Sequence, residues 1–310
     1  MNENYRCLRK DIQIYLKINM IDKPISYEVI SEEKCEKYTQ KLISYSGSEK
    51  DHIKAYLLIP EGEGPFPAML AHHQHSGERH FGKSEICGLV GDEYQAFGPE
   101  LAQKGILVLA PDSICFEDRR TNKSGVEPDD EYSDFLQHYN EMCYRILKGK
   151  PLMKKVIEDA SIAISLLRSI KKVDNNRIGV LGHSYGGNTA LFQGALDERI
   201  KFTCSSGAVC SYKNKMKNET GIEMAEVIPG FVNNFEIEDL VKSYVKRELL
   251  VVSATEDKYS KDADEICENA ESYFDQIGIK KRVAHKRYKG GHKLDQKRFE
   301  DIIEWIISQV

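Results

Sequence analysis

Gly182-His183-Ser184-Tyr185-Gly186-Gly187 sets one serine between two glycines, directly after the apolar run Ile178–Leu181. Small and apolar residues then resume with helical spacing from Asn188 to Leu196. Between a strand and a helix, G-x-S-x-G makes so tight a turn that the serine stands strained at its tip, with the glycines leaving room. A serine hydroxyl is a weak nucleophile at its own pKa, so a general base must take its proton and a carboxylate must orient that base. The developing oxyanion needs backbone N–H donors. The plainer reading is a glycine-rich helix start that binds phosphate, but G-x-G-x-x-G and G-K-[ST] are both missing here.

Where this turn occurs, the acid and then the histidine follow in chain order. The strand-like Leu249–Val252 leads into Ser253-Ala254-Thr255-Glu256-Asp257-Lys258, which puts Asp257 at the acid position with Glu256 and Asp262 as weaker neighbours. Beyond it stand His285, inside the strand-like stretch Arg282–Tyr288, and His292, in the loop Lys289-Gly290-Gly291-His292 before the last helix. The loop position favours His292, because a residue within a strand is held in the sheet. His183 is set aside, since adjacent residues at the turn point apart.

One oxyanion donor is expected to be the N–H of Tyr185, and the other to come from His72-His73-Gln74-His75-Ser76-Gly77, after the run Pro67–Ala71. Three histidines in four residues raise a metal site as an alternative. However, His73 and His75 share one face of an extended chain, with no carboxylate or cysteine spaced as in a zinc motif. Structural or pocket-lining histidines are the preferred reading, and no metal is expected. Arg119 and Arg120 are candidate clamps for a substrate carboxylate, against the plainer reading of surface arginines paired with Glu117 or Asp118.

These residues need a scaffold. Tyr38–Tyr45 and His52–Ile59 flank a turn at Gly47-Ser48 and read as an antiparallel hairpin. After Gly62-Glu63-Gly64-Pro65, short apolar runs at Pro67–Ala71, Ile106–Ala110, Ile178–Leu181, Phe202–Cys204 and Leu249–Val252 alternate with amphipathic segments. Such runs read as parallel strands covered on both faces. Val156, Ala160, Ala163, Leu167 and Ile170 share one helix face, as do Phe299, Ile302, Ile303, Ile306 and Val310. The alternation predicts an α/β fold with a mostly parallel sheet wrapped by helices. Residues 115–151 and 207–247 break it, and both leave the carboxyl edge of the sheet, where ligands bind. They are expected to form a lid or pocket wall within a single domain over 1–310, with 1–60 as an amino-terminal helix and hairpin extension.

With 41% apolar and 30% charged residues and a net charge of −5, the 310-residue chain has ordinary globular composition. The charges are spread along its length, which points to neither nucleic acid nor an anionic membrane. The start is polar, and no run approaches the roughly 18 apolar residues of a membrane span. A cytoplasmic location is expected. The eight scattered cysteines contain no C-x-x-C pair and read as reduced thiols.

From about Pro65 to its end the chain resembles the α/β-hydrolase superfamily, in particular its dienelactone-hydrolase-like and acetyl-xylan-esterase-like branch. The resemblance rests on His73-Gln74-His75-Ser76-Gly77-Glu78, Ala110-Pro111-Asp112, Cys115-Phe116-Glu117-Asp118-Arg119, Gly182–Gly187, Leu196-Asp197-Glu198-Arg199-Ile200 and Gly290-Gly291-His292. It implies Ser184 as nucleophile, His292 as base and Asp257 as its orienter. It places His75 at the second oxyanion donor, with Gln74 as the other option there and as a candidate substrate contact. Dienelactone hydrolases proper use cysteine where this chain has Ser184. The resemblance implies a serine hydrolase of a small carboxylic ester, without cofactor, with oligomeric state open and a homodimer as one option. The rival readings are an acylaminoacyl-type peptidase or amidase, an acyltransferase or cyclising enzyme, and a ligand-binding receptor on the same fold.

Overall fold

A computed structural model of the protein describes residues 7–245, 247–280 and 282–310. Among these residues nine strands form one sheet: β1 (Glu28–Lys34), β2 (Tyr38–Ser46), β3 (His52–Pro60), β4 (Phe66–His72), β5 (Leu107–Pro111), β6 (Val173–His183), β7 (Phe202–Ser206), β8 (Glu248–Ala254) and β9 (Val283–Tyr288). Their order is β1-β2-β3-β5-β4-β6-β7-β8-β9. The first three are antiparallel, β3 pairs antiparallel with β5, and the remaining pairings are parallel. The expected hairpin is β2–β3, with Gly47 and Ser48 in its turn. β1 adds one more strand, exposed at every residue as an edge strand can be.

The helices used below are α1 (Leu8–Leu16), α2 (Phe97–Gln103), α3 (Glu131–Leu147), α4 (Leu152–Ser169), α5 (Tyr185–Leu196), α6 (Ala263–Gln276) and α7 (Gln296–Ile307). Successive side chains of a strand point to opposite faces, so a strand apolar at every position feeds two cores. Val108, Ala110, Leu250 and Val252 pack with Phe97 and Leu101 of α2 and with Ile302, Ile303 and Ile306 of α7. Leu107 and Leu109 pack with Ala163, Leu166 and Leu167 of α4 on the other face. Leu249 and Val251 join Leu191 and Phe192 of α5, Ile266 of α6 and Ile12 and Leu16 of α1. Helices therefore cover both faces of the sheet. Val310, expected on the last helix, lies beyond its end at Ile307.

The segments 115–151 and 207–247 both emerge past strand ends, at β5 and β7. The first carries α3, and the second carries the short helices Tyr212–Lys217 and Ile237–Lys242. None of the eight cysteines forms a disulfide. Among the described residues no helix is long and apolar enough to cross a membrane.

Candidate active site

Strand β6 ends at His183 and α5 begins at Tyr185, so Ser184 alone makes the turn, at φ 57° and ψ −120°. A left-handed φ on a non-glycine residue is strained and persists only where its surroundings hold it. Ser184 N–H donates to Ser206 O at 2.8 Å, and Ser184 O accepts from Asn188 N–H at 3.0 Å. The flanking glycines are dictated by contact: a Cβ on Gly182 would stand 2.2 Å from the carbonyl carbon of Gly186, and one on Gly186 would stand 2.3 Å from His72 O.

Ser184 Oγ lies 2.8 Å from His292 Nε2, and His292 Nδ1 lies 3.0 Å from Asp257 Oδ1. Residues separated by 108 and 35 positions are thus joined by two hydrogen bonds. Asp257 is 2% exposed. Its Oδ1 also accepts from Tyr259 N–H at 2.9 Å, and its Oδ2 from Ser260 Oγ at 2.6 Å. Burial opposes its ionisation, but the partnership with His292 and these two bonds outweigh it and hold the carboxyl below its ordinary pKa. An ionised Asp257 accepts at both oxygens, which puts the imidazole proton on Nδ1 and leaves Nε2 to accept from the Ser184 hydroxyl.

The two loops are stitched together. Glu256 N–H donates to Gly290 O at 2.9 Å, and Gly290 N–H donates to Thr255 Oγ1 at 3.2 Å. Arg298, 4% exposed on α7, reaches back and donates to Gly291 O at 2.7 Å, Lys293 O at 3.1 Å and Lys289 O at 3.2 Å. A single guanidinium thus clamps both sides of His292. The ring of His292 meets Tyr259 edge-on at 4.9 Å between centroids. Arg298 and Tyr259 escaped the sequence reading. Their signals were faint: an arginine one position before Phe299 on the apolar face of α7, and a tyrosine two after the acid.

The weaker candidates lie elsewhere. Glu256 is exposed, and Asp262 accepts from Ser211 N–H and Oγ at the start of the helix Tyr212–Lys217. His285 Nε2 stands 2.7 Å from Ser253 Oγ, within the sheet. His183 is buried, Nδ1 2.9 Å from Ser206 Oγ, and burial pushes its pKa down to about 3. The three clustered histidines diverge. His72 Nε2 is 2.6 Å from Gln193 Oε1, His73 Nε2 accepts from Ser113 N–H at 3.1 Å, and His75 Nδ1 is 3.4 Å from Glu223 Oε2. His75 and Tyr185 line the same cavity as Ser184.

Three expected substrate contacts are corrected. Gln74 turns inward, its Nε2 donating to Glu85 Oε1 at 2.8 Å. Arg119 binds Asp51 at 2.5 Å and Asp159 at 2.8 Å, while Arg120 takes both oxygens of Asp134 at 2.8 and 2.9 Å. None of the three lines the Ser184 cavity. Nor are the arginines surface residues: their side chains are buried against carboxylates, Arg119 against those of Asp51 and Asp159 and Arg120 against that of Asp134 in its own segment.

The cavity over Ser184 and His292 measures about 820 Å³. Its wall includes Tyr132 and Phe135 from α3, and Lys215, Ile222 and Glu226 from the 207–247 segment. Lys215 Nζ is buried against Glu226 at 2.8 Å, and Asn188 Nδ2 donates to the same carboxylate at 3.2 Å. Among the described residues one group of acids has the spacing to hold a cation, Asp112, Glu117 and Asp118. The ammonium of Lys83 already stands among them, 2.8 Å from Asp112, 2.7 Å from Asp118 and in contact with Glu117.

The family model for acetyl xylan esterase matches residues 19–229, more than half of the chain. A provisionally named hydrolase of Bacillus subtilis (strain 168), YtaP, is 35% identical over 185 residues. That match covers 58% of this chain and 56% of YtaP, so it spans little more than half of that relative. A Bacteroides fragilis structure provisionally named an acetyl xylan esterase superposes with a TM-score of 0.74 at 16% identity, covering 98% of this chain and 86% of its own. Acetyl xylan esterase 1 of Thermoanaerobacterium sp. gives 0.65 at 16%, covering 97% of each chain. A glucuronoyl esterase of Solibacter usitatus gives 0.64 at 17%, covering 97% of this chain and 92% of its own. At these identities the structural likeness is one of fold.

Proposed function

The chain belongs to the acetyl xylan esterase family; from that premise we propose that it is a carboxylic ester hydrolase working through Ser184, His292 and Asp257 by way of an acyl-enzyme. The observation that carries this reading is the unbroken line of hydrogen bonds Asp257–His292–Ser184, with the hydroxyl at a cavity large enough for a small-molecule ester.

In this mechanism Ser184 Oγ attacks the acyl carbonyl while His292 Nε2 takes its proton. Asp257 holds the imidazole in the required tautomer and stabilises the imidazolium that forms. The backbone N–H of Tyr185, at the start of α5, and that of His75 stabilise the oxyanion. His292 returns the proton to the leaving alcohol, then draws one from water so that hydroxide attacks the acyl carbon and frees Ser184. Segments 115–151 and 207–247 serve as pocket walls, through Tyr132, Phe135 and Lys215. A cytoplasmic setting completes the reading, in keeping with eight cysteines of which none forms a disulfide.

The test is labelling with a fluorophosphonate probe, beside a hydrolysis panel of short and long acyl esters, acetylated sugars and amino-acid anilides. Covalent label at Ser184 and ester turnover that disappears in Ser184→Ala are the expected results. A folded protein that takes no label, or anilides cleaved faster than esters, would overturn the proposal.

A further inference from the structure

One charged group in the cavity wall has no part in the mechanism above. Arg79 lines the same cavity as Ser184 and His292 yet is only 4% exposed. Two contacts from α3 fix its head group. Its Nε donates to His138 Nδ1 at 3.2 Å, and its guanidinium carbon stands 5.6 Å from the centre of the Phe135 ring. Its two terminal nitrogens, the fork that normally grips a carboxylate, have no hydrogen-bond or ion-pair partner among the described residues. The carboxylates whose charge reaches it are engaged elsewhere. Asp134 is held by Arg120 and Asn122, and Glu223 stands against His75. Burial lowers the pKa of Arg79 from its ordinary value, and Glu223 and Asp134 offset this only in part.

The other buried cations at this end of the sheet differ. Arg119, Arg120, Lys83 and Lys215 all contact carboxylates, and Arg298 contacts three carbonyls. A desolvated guanidinium needs acceptors for its N–H groups, and the fork of Arg79, which lines the reaction cavity, has none among the described residues.

We propose that Arg79 recognises a free carboxylate on the substrate, so that the enzyme prefers esters bearing a second, ionised carboxyl group in their acyl or alcohol part. This rests on the assignment of Ser184 above. A planar carboxylate matches the terminal nitrogens in a bidentate pair. Glu131, Glu223 and Glu226 also line the cavity, and Glu226 already neutralises Lys215. Their charge favours a monoanion over the dianion of a phosphate monoester. Tyr132 and Phe135 supply apolar wall for the chain between carboxylate and ester.

The test compares matched pairs: hydrogen methyl adipate against methyl hexanoate, and 4-acetoxybutanoate against butyl acetate. In the wild type kcat/KM favours the charged member of at least one pair by about 10-fold or more, and Arg79→Met lowers that ratio by about 10- to 100-fold, mainly through KM. Arg79→Lys restores part of it, because charge returns without the fork. In Ser184→Ala, calorimetric binding of hydrogen methyl adipate weakens by a similar factor when Arg79→Met is added. Equal turnover of both members of both pairs by the wild type overturns the proposal, and needs no folded variant. So does a variant that slows charged and neutral esters in proportion. Failure of the probe to label Ser184, with Arg79-dependent binding intact, sinks the mechanism and spares the carboxylate site.

Discussion

Asp257 and Asp112 both follow a strand of the central sheet, and both are buried, at 2% and 1% exposure. Asp257 is joined to His292, whose side chain is 29% exposed over the cavity. Asp112 is joined to Lys83, whose side chain is 2% exposed and surrounded by Asp112, Glu117 and Asp118. Burial opposes the charge of Lys83, but Asp112 and Glu117 outweigh it and push its pKa up. Three acids around one ammonium leave the cluster rich in negative charge, and burial and Glu117 hold Asp112 above its ordinary range. The first group ends in an open hydroxyl and the second closes on itself. Proximity of titratable groups is common to both. What separates them is an unfilled position facing solvent, and by the same criterion Arg79 belongs with the open group.

The comparison breaks most plainly at its open end. Ser184→Ala lowers kcat/KM by about 10⁴- to 10⁶-fold while leaving the thermal transition near that of the wild type. A smaller loss on any cleaved ester would transfer the role of nucleophile elsewhere. Asp257→Asn keeps the shape but favours the wrong imidazole tautomer, and costs about 10³- to 10⁴-fold in kcat. A neutral outcome there would make Asp257 a loop brace only.

The closed cluster should respond in stability instead. Lys83→Met leaves Asp112 and Glu117 buried without their cation, while Asp118 keeps Lys54, and destabilises the fold by about 3–5 kcal/mol in urea titration. Active-site titration should show a smaller change per folded molecule, and a loss of turnover without loss of stability would place Lys83 with the working groups.

The smallest effect is expected at Glu85, which holds Gln74 within the loop His72–Gly77. Burial pushes its carboxyl up to about 7, against the bonds from Gln74 and Asp92 N–H. The folded chain therefore keeps a proton that the unfolded chain has lost between about 4.5 and 7. In that window its contribution to stability falls as pH rises, and above it the cost stays constant. Glu85→Gln, having no charge to bury, gains about 1–3 kcal/mol over the wild type at about pH 8 relative to pH 5. Parallel pH profiles for the two proteins would refute this assignment.

The strand runs from Pro67–Ala71 to Leu249–Val252 were legible because a strand buried on both faces must be apolar at every position. β1 was not singled out, since an exposed edge strand carries no such pattern. The helix α1 showed only a weak helix-like pattern, in Ile12, Tyr15, Leu16 and Ile18, and its place against α5 is a tertiary fact.

Ser184 was legible for a local reason. A turn too tight for any Cβ on Gly182 or Gly186 writes its steric demands into adjacent positions. Asp257 and His292 followed from chain order, because each lies in the loop after a recognisable strand. Charge partners have no such local signature. Arg119 meets Asp51 and Asp159, 68 and 40 positions away, and Lys83 meets Glu117 across 34. Sequence placed Arg119 and Arg120 at the ligand edge and could go no further. Only the packed structure decided that these two arginines are consumed and that Arg79 is left open, because pairing depends on which segments the fold brings within hydrogen-bond reach.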